Sequence, residues 1–248
     1  MTSYPVHYLP SGHIFIDPGD DCDRVVNAML ETDYCEEFCL ARDFEEDFIA
    51  RLMEAGFLVM STELEDEDEG DSDASPKKET GERYFILLPK LHLVRSVLLF
   101  ENLHIKKSIR SFLPKYELRV NTDFSLILDN CIKKHGPAWL TPPLVEIIKN
   151  LRHRRDLRTM PVSFGVYRNG VLQAGEVGIA IGRVYTSYSG YYDEANAGTV
   201  QMVLMAQWLE KSGFDFLDFG MPLEYKNDLG AQDISPAHFV ELFRAARY

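Results

Sequence analysis

The stretch VSFGVYRNGVLQAGEVGIAIGRVYTSYSGYY, residues 162–192, decides the fold. Its Asn169-Gly170 pair stands between two runs in which apolar and polar side chains alternate. That pair favours the two-residue turn of an antiparallel hairpin, because both residues accept a positive φ. A second run, GEVGIAIGRVYTSY, continues the pattern and predicts a meander of antiparallel strands.

Further strands and helices are predicted on both sides of this meander. The strands are RYFILLP, RSVLLFENL, ELRVNTD and FDFLDFG. FSLILDNCIKKHG follows the N-cap Asp123 and ends before Gly136, and TPPLVEIIKNLRHR begins at Thr141. NAGTVQMVLMAQWLEKSG ends at Gly213, and SPAHFVELFRAARY begins at Ser235. Together these elements predict an α+β body with a mostly antiparallel sheet.

Residues 1–82 are predicted to contain a small unit and a linker. GHIFID is typical of a strand and residues 23–60 of helices, with FEEDFIARLMEAGF stopping at Gly56. The next stretch, TELEDEDEGDSDASPKKETGE, is acidic and almost free of bulky apolar side chains, which predicts a flexible linker. We therefore expect three parts, namely an N-terminal domain over residues 1–61, the linker over 62–82 and the main domain over 83–248.

Composition and cysteine usage predict a cytoplasmic globular protein. Hydrophobic residues make up 46% of the 248 and aromatic residues 12%, which is enough for a packed core. The first residues do not resemble a signal peptide and no apolar run is long enough for a membrane span, so neither is expected. The four cysteines form no CxxC pair, and free thiols without a metal site are expected.

Charge is distributed unevenly along the chain. Residues 1–82 carry 23 acidic and five basic side chains, whereas residues 83–248 carry 16 acidic and 21 basic ones. The net charge of −13 therefore hides a mildly basic body behind an acidic front. Such asymmetry indicates nucleic-acid contact by the basic part.

Four stretches of the main domain, in this order, resemble the leucyl/phenylalanyl-tRNA–protein transferases. They are LHIKKSIRSFLPKYELRVNTDFSLILDNC, AWLTPPLVEIIKNL, VSFGVYRNGVLQAGEVGIAIGRVY and GFDFLDFGMPLEYKNDLGAQDISPAHF. A weaker likeness extends to DFEEDFIARLMEAGF in the front unit. The resemblance implies a divergent member of that family with a GNAT-like acyltransferase fold.

The resemblance also implies a reaction. The donor would be the aminoacyl ester of a tRNA carrying Leu, Phe or a similar residue. The acceptor would be the free α-amine of a protein N-terminus, usually one that begins with Lys or Arg, and the product would be a degradation signal. No metal or organic cofactor, no DNA and no membrane is implied, and a monomer is expected.

By the same resemblance, Asp218 is the expected catalytic residue. It matches the aspartate of the family's Asp-Cys-Gln triplet, which helps the glutamine act on the acceptor amine. Gly220 stands at the glutamine position, so we expect Asp218 to bind the acceptor ammonium directly; a residue that caps backbone amides is the alternative. The letters Asp-Phe-Gly also match a kinase motif, but neither a glycine-rich phosphate loop nor a His-Arg-Asp loop accompanies them.

Departures from the family pattern cluster where donor and acceptor should meet. Ser187 stands at a family glutamate and Ser189 at a pocket methionine. Trp139 matches a family tryptophan near the terminal adenosine, where it can stack on a base, although a core tryptophan is the alternative. The residues expected to bind substrate are Trp139, Ser187, Tyr188, Ser189, Gly190, Asn196 and Gly220.

Two basic clusters are expected to bind phosphates of a tRNA acceptor stem. One lies in KKSIRSFLPKY, which starts as a helix and stops at Pro114, and the other in RHRRDLR. A solvated charged surface is the alternative. The expected tRNA contacts are Lys106, Lys107, Arg110, Arg152, Arg154 and Arg155.

Two other functions are compatible with the sequence. A GNAT-like transferase that uses a CoA thioester would need a glycine-rich phosphate loop at a strand-to-helix turn, which we do not find. A catalytically silent protein that binds tRNA or N-terminal peptides is favoured by Gly220 and Ser187, which replace the family's glutamine and glutamate.

Overall fold

A computed structural model describes residues 5–64 and 83–248. Its helices are α1 (Cys22–Glu31), α2 (Glu46–Glu54), α3 (Lys107–Arg110), α4 (Phe124–His135), α5 (Pro142–Leu151), α6 (Ala197–Lys211), α7 (Glu224–Asp228) and α8 (Pro236–Ala246). Its strands are β1 (His7–Tyr8), β2 (Ile14–Phe15), β3 (Leu58–Leu64), β4 (Tyr84–Lys90), β5 (Arg95–Leu99), β6 (Glu117–Val120), β7 (Thr159–Arg168), β8 (Val171–Ile181), β9 (Val184–Tyr192), β10 (Phe216–Gly220) and β11 (Gln232–Ile234).

Seven strands form one sheet in the order β11-β5-β10-β9-β8-β7-β6. Neighbouring strands pair antiparallel except for β9 and β10, which run parallel. The predicted meander is β7-β8-β9, and Asn169 and Gly170 make its first turn with φ of 52° and 78°. The α+β class and the mostly antiparallel sheet are confirmed.

The glycine stops and the Ser235 cap are confirmed, but three other predicted ends differ. The helix expected to stop at Pro114 is the short α3, which ends at Arg110, and neither Asp123 nor Thr141 makes a side-chain capping bond. Gly136 and Gly213 follow α4 and α6 with φ of 78° and 84°, values that favour glycine. The Ser235 side chain accepts a hydrogen bond from the first turn of α8. Asp123 precedes α4 but does not cap it, because its carboxylate accepts a hydrogen bond from the Tyr167 hydroxyl instead.

Helices cover both faces of the large sheet. Side chains of α1, α2, α4, α5 and α8 share one buried apolar cluster, whereas α6 belongs to a second. β8 supplies Val177 and Ile179 to the first cluster and Ala174 and Ala180 to the second. The middle of the sheet is therefore buried on both sides, as in a three-layer arrangement.

The N-terminal part differs from its prediction in two places. Helices do occur within residues 23–60 and Gly56, at φ 103°, follows the second one as predicted, but Leu58 already begins β3. β3 continues through residues 62–64, predicted as linker, and pairs there with β4. The rest of the predicted linker, residues 65–82, lies outside the described residues.

Two small sheets accompany the large one. β1 pairs with β2 and β3 with β4, so the strand predicted at residues 12–17 is confirmed only over β2. Side chains of α1, α2 and β3 share the first cluster with the main body, and a domain boundary at residue 61 stays a prediction. In the two described ranges, no helix is both long and apolar enough to cross a bilayer.

Candidate active site

The large sheet opens between β9 and β10. Their pairing covers three residue pairs and ends at Thr186 and Asp218. Beyond that point β9 runs on to Tyr192, paired with β8, whereas β10 ends at Gly220. We name this opening the strand split and define it by its flanking residues, Ser187–Gly190 on β9 and Phe219–Gly220 on β10.

Asp218 lies at the base of the strand split in a buried ion pair. Its Oδ1 accepts hydrogen bonds from Arg95 Nε at 2.8 Å and from the Gly220 amide at 2.9 Å. Its Oδ2 accepts from Arg95 Nη2 at 2.6 Å and from Thr186 Oγ1 at 2.9 Å. Burial by itself would raise the pKa of Asp218, but the charge and hydrogen bonds of Arg95 outweigh burial and hold that pKa below its usual value.

This arrangement contradicts the expectation that Asp218 binds the acceptor ammonium directly. Each carboxylate oxygen already accepts two hydrogen bonds, and the side chain is 0% exposed. The alternative, capping of a backbone amide, occurs in the bond from Gly220. A catalytic part for Asp218 stays a prediction and would act through Arg95, whose guanidinium also lies 4.1 Å from the centre of the Phe239 ring.

Gly220 has the left-handed φ of 70° that favours glycine. A Cβ at this position would lie 3.4 Å from both His92 Nε2 and Leu58 Cδ1. Burial, followed by the charge of Arg95, lowers the pKa of His92 to about 3, so the imidazole is neutral. The family's glutamine would therefore need a different backbone conformation, and its Cβ would already contact His92 and Leu58.

Trp139 and Tyr188 lie together where β3 approaches the strand split. Their ring centroids are 6.5 Å apart, and Tyr188 Oη accepts a hydrogen bond from the Val59 amide at 2.9 Å. The Trp139 carbonyl accepts from the Ser61 amide at 2.9 Å. Trp139 is half-buried, so part of its indole can still stack on a base. β3 thus holds two predicted site residues in place.

α4 fixes the end of β9 that flanks the strand split. The Ser189 carbonyl accepts a hydrogen bond from Cys131 Sγ at 3.3 Å, and the Gly190 carbonyl lies 2.7 Å from His135 Nε2. Asn196 is separate from this group. It precedes α6 with a left-handed φ of 69°, and its side chain makes no capping bond.

Glu176 on β8 is a buried carboxylate that sequence reasoning missed. It pairs in register with Gly190 and is 4% exposed. Its Oε2 accepts a hydrogen bond from Gln201 Nε2 on α6 at 3.4 Å, whereas Oε1 has no hydrogen-bond partner among the described residues. Burial raises the pKa of Glu176 to about 7, and Ser187, Gln201 and Lys226 oppose that rise.

Lys226 on α7 places a cation beside the end of β10. Its side chain is buried, and Nζ donates hydrogen bonds to the carbonyls of Phe219 and Met221, each at 2.8 Å. Burial lowers the pKa of Lys226 to about 8, although the negative charges of Glu176 and Asp218 oppose the shift. The Phe219 carbonyl, which no longer pairs with β9, is thus satisfied by a lysine.

Three of the six predicted tRNA contacts already interact with other side chains of the protein, and three do not form ion pairs with described residues. Lys106 Nζ lies 2.5 Å from an Asp228 carboxylate oxygen, and the Arg152 guanidinium lies 4.1 Å from the centre of the Phe124 ring. Arg154 binds three carboxylates, two on α2 and one in its own loop. In the described part of the chain, three of the six are exposed and make no ion pair, namely Lys107, Arg110 and Arg155.

Two surface clefts lie outside the strand split. The first, of about 260 Å³, is lined by Arg154, Arg155, Arg158, Leu157, Met160, Ala180, Gly182 and Phe214. It gathers three arginines of the second basic cluster around one concave surface. The second cleft, of about 270 Å³, lies where α1 and α2 meet the last residues of the chain, and its lining includes Asp20, Asp21, Asp23, Glu54, Arg51 and Arg247.

Known sequences match the part of the chain that contains this geometry. A family profile described as leucyl/phenylalanyl-tRNA protein transferase matches residues 97–244. The chain is 27% identical over 158 residues to the protein of that name from Maridesulfovibrio salexigens, covering 61% of this chain and 65% of that protein. It is 32% identical over 152 residues to the one from Pseudomonas putida, covering 59% and 66%. The chain thus spans less than two thirds of the length of these curated relatives.

One solved structure with a distant likeness is a GCN5-related N-acetyltransferase from Kribbella flavida. The likeness has a TM-score of 0.40 and 10% sequence identity, and it covers 89% of this chain and 74% of that chain.

Proposed function

Because the chain belongs to the leucyl/phenylalanyl-tRNA protein transferase family, we propose that it transfers an amino acid from an aminoacyl-tRNA to an N-terminal α-amine of an acceptor protein. The transferred residue is Leu, Phe or a similar amino acid, and the product is marked for degradation. The observation that carries this proposal is the extent of the family match, because residues 97–244 include the whole strand split and both basic segments.

The strand split suits aminoacyl transfer. The ester of a charged tRNA is already activated, so the enzyme needs to align an amine with it, accept one proton and stabilise an oxyanion. Alignment alone can contribute about 7 kcal/mol or more in favourable cases. Glu176 offers a carboxylate oxygen that bonds to no described residue, and Lys226 offers a cation next to the opening.

The basic segments suit the donor's phosphates. Lys107 and Arg110 of α3 are exposed and form no ion pair with a described residue, and Arg155 lines the cleft of about 260 Å³. Cations of this kind bind RNA through its backbone rather than its sequence. Trp139, half-buried beside Tyr188, is the surface for the terminal adenosine. These residues would therefore bind the donor tRNA, whereas the groups at the strand split would carry out the transfer.

The proposed active form is a cytoplasmic monomer. Charged tRNA is found in the cytoplasm, and the monomer is the state expected for the family. Size-exclusion chromatography with light scattering tests the monomer directly, and a dimer that persists on dilution would refute it.

The decisive experiment incubates the purified chain with each of the charged tRNAs in parallel and an Arg-starting model peptide. We expect labelled Leu or Phe to appear on the peptide, and ribonuclease treatment of the donor to abolish the signal. An N-acetylated copy of the peptide is the matched control, because it lacks the free amine. Transfer that requires a CoA thioester would select that class of transferase, and tRNA binding without turnover would select the silent binder.

A further inference from the structure

Glu176 carries an acceptor oxygen that no described residue uses. The side chain is 4% exposed, yet Oε1 has no hydrogen-bond partner in the described part of the chain. The hydroxyls of Ser187 and Tyr185 lie near enough to affect the pKa of the carboxylate, but neither meets the geometry of a hydrogen bond. A buried, unsatisfied carboxylate oxygen is unfavourable, so a donor group of a ligand is the natural partner.

The position of Glu176 identifies where that ligand sits. In the β8–β9 ladder it lies opposite Gly190, a residue that flanks the strand split. Gly190 has no side chain to cover the carboxylate, and a Cβ there would be 3.7 Å from Glu176 Cβ and Cγ. On the far side, Gln201 of α6 holds Oε2 at 3.4 Å. One oxygen is therefore anchored by Gln201, and the other is buried beside Gly190 without a hydrogen-bond partner among the described residues.

We propose that the Glu176 carboxylate binds the α-ammonium of the acceptor and takes the proton that this amine releases. This inference rests on the proposed function. The neutral amine then attacks the ester carbonyl, so that a C–N bond forms and the bond to the tRNA 3′ oxygen breaks. The second amine proton passes to that leaving oxygen, which departs as a hydroxyl, and Glu176 returns its proton to solvent.

The charges around Glu176 suit this proton transfer. Among the described residues, four titratable groups interact with its carboxylate, namely Lys226 and Tyr225 of α7, Tyr185 of β9 and Cys131 of α4. Burial raises the pKa of Glu176 to about 7, close to the values of roughly 7.7–8.0 for a peptide α-amine. A proton acceptor matched to its donor in this way works near neutral pH.

The test replaces Glu176 with glutamine, which keeps the size of the side chain and removes its charge. Transfer is measured at saturating charged tRNA while the concentration of the Arg-starting peptide is varied, and tRNA affinity is measured separately. Glu210→Gln is the matched control, because Glu210 is an exposed carboxylate on α6, the helix that carries Gln201. Circular dichroism verifies that both variants are folded.

We expect Glu176→Gln to lower kcat/KM for the peptide on the order of 10²-fold, while its tRNA affinity stays within about twofold of the wild type. Glu210→Gln should match the wild type in both measurements within about twofold. In the wild type, kcat/KM should fall below about pH 7 as Glu176 becomes protonated, and this limb should vanish from the residual activity of the variant. The acceptor α-amine itself titrates at roughly 7.7–8.0, so the wild-type profile is compared for two peptides whose α-amine pKa values differ. A limb that keeps its position belongs to Glu176, and it tests the inference even if the variant does not fold.

Two results would overturn the inference. One is a variant with unchanged peptide kinetics and an unchanged pH profile. The other is an equal loss of tRNA affinity, which would assign Glu176 to the donor. Both presuppose an active wild type, so they are distinct from failure of the proposed function, which is a wild type that transfers nothing from any charged tRNA.

Discussion

Arg95 of β5 and Asp218 of β10 form a two-bond ion pair, at 2.8 and 2.6 Å, that is sealed inside the protein. Exposure of the two side chains is 1% and 0%. Because 123 positions separate them in the sequence, this is a long-range contact that holds the base of the strand split. Asp218 therefore supports the site through its contact with Arg95. Its removal should first lower the free energy of unfolding.

Asp218→Ala should lower the free energy of unfolding by about 3–5 kcal/mol, because it leaves the Arg95 guanidinium buried without a counter-charge. Urea unfolding followed by circular dichroism measures the change. The control is Asp215→Ala, since Asp215 pairs with Arg183 in an exposed bridge, and such pairs contribute little. A variant Asp218→Ala as stable as the control would show that the pair is not sealed from water.

Gly220→Ala should destabilise the fold by about 1–2 kcal/mol, because φ of 70° is unfavourable for a residue with a Cβ. The new methyl would contact His92 and Leu58 at 3.4 Å without a clash, so the cost comes from the backbone. Gly19→Ala is the control, since its Cβ would meet no atom within 4 Å and its φ is not positive. For the same reason, Gly220→Gln should not raise the transfer rate, and a gain in rate would contradict this account of the split.

Local signals in the sequence were sufficient for much of the fold. The Asn169-Gly170 turn could be predicted because both residues accept a positive φ. The ends of α4 and α6 could be predicted for the same reason, since a glycine with positive φ follows each helix. β3 was missed because an apolar run such as FLVM fits a buried helix as well as a strand. The pairing with β4 is what shows that this run is a strand and not a helix. β4 begins only at Tyr84, so the pairing is not visible in the local sequence.

The polar groups of the site could not be predicted in the same way. Glu176 is one charged residue in an alternating run, and nothing nearby indicates that it is buried. Its environment comes from Gln201, 25 residues away, and from Lys226 on a short helix still further along the chain. Asp218 was singled out by resemblance, but its partner Arg95 is 123 residues away. Burial of charge is a property of tertiary contacts, which a single sequence does not reveal.

Lys107→Ala and Arg155→Ala should each weaken tRNA binding and reduce its salt dependence by about one unit of slope, the effect of losing one phosphate contact. Both side chains are exposed and make no ion pair in the described part of the chain. Binding measured across a series of salt concentrations gives the slope.

Arg42→Ala is the control for a lost surface charge, since Arg42 lies in the acidic front part. Arg154→Ala should change the slope less than Arg155→Ala, because three carboxylates already hold its guanidinium. If Arg154→Ala alone changed the slope, the cleft would bind RNA through its ion-paired arginine, contrary to this prediction.

Glu176 should also make stability fall as the pH rises. Its pKa is raised from 4.5 to about 7 in the folded protein, so between these values the native chain keeps a proton that the unfolded chain releases. The free energy of unfolding should therefore drop by about 3 kcal/mol from near pH 4.5 to above pH 7, relative to Glu176→Gln. Lys226, whose pKa is lowered from 10.5 to about 8, acts above this window.

Urea unfolding of the wild type, Glu176→Gln and Glu210→Gln at several pH values between 5 and 7.5 measures the effect. The free energy of unfolding of Glu210→Gln should change with pH as that of the wild type does. The free energy of unfolding of Glu176→Gln should rise relative to the wild type as the pH rises, because glutamine has no proton to lose. Parallel curves for all three proteins would mean that the Glu176 carboxylate is hydrated in solution. In that case Oε1 would already have a partner in water, and the reason for assigning it an ammonium ligand would disappear.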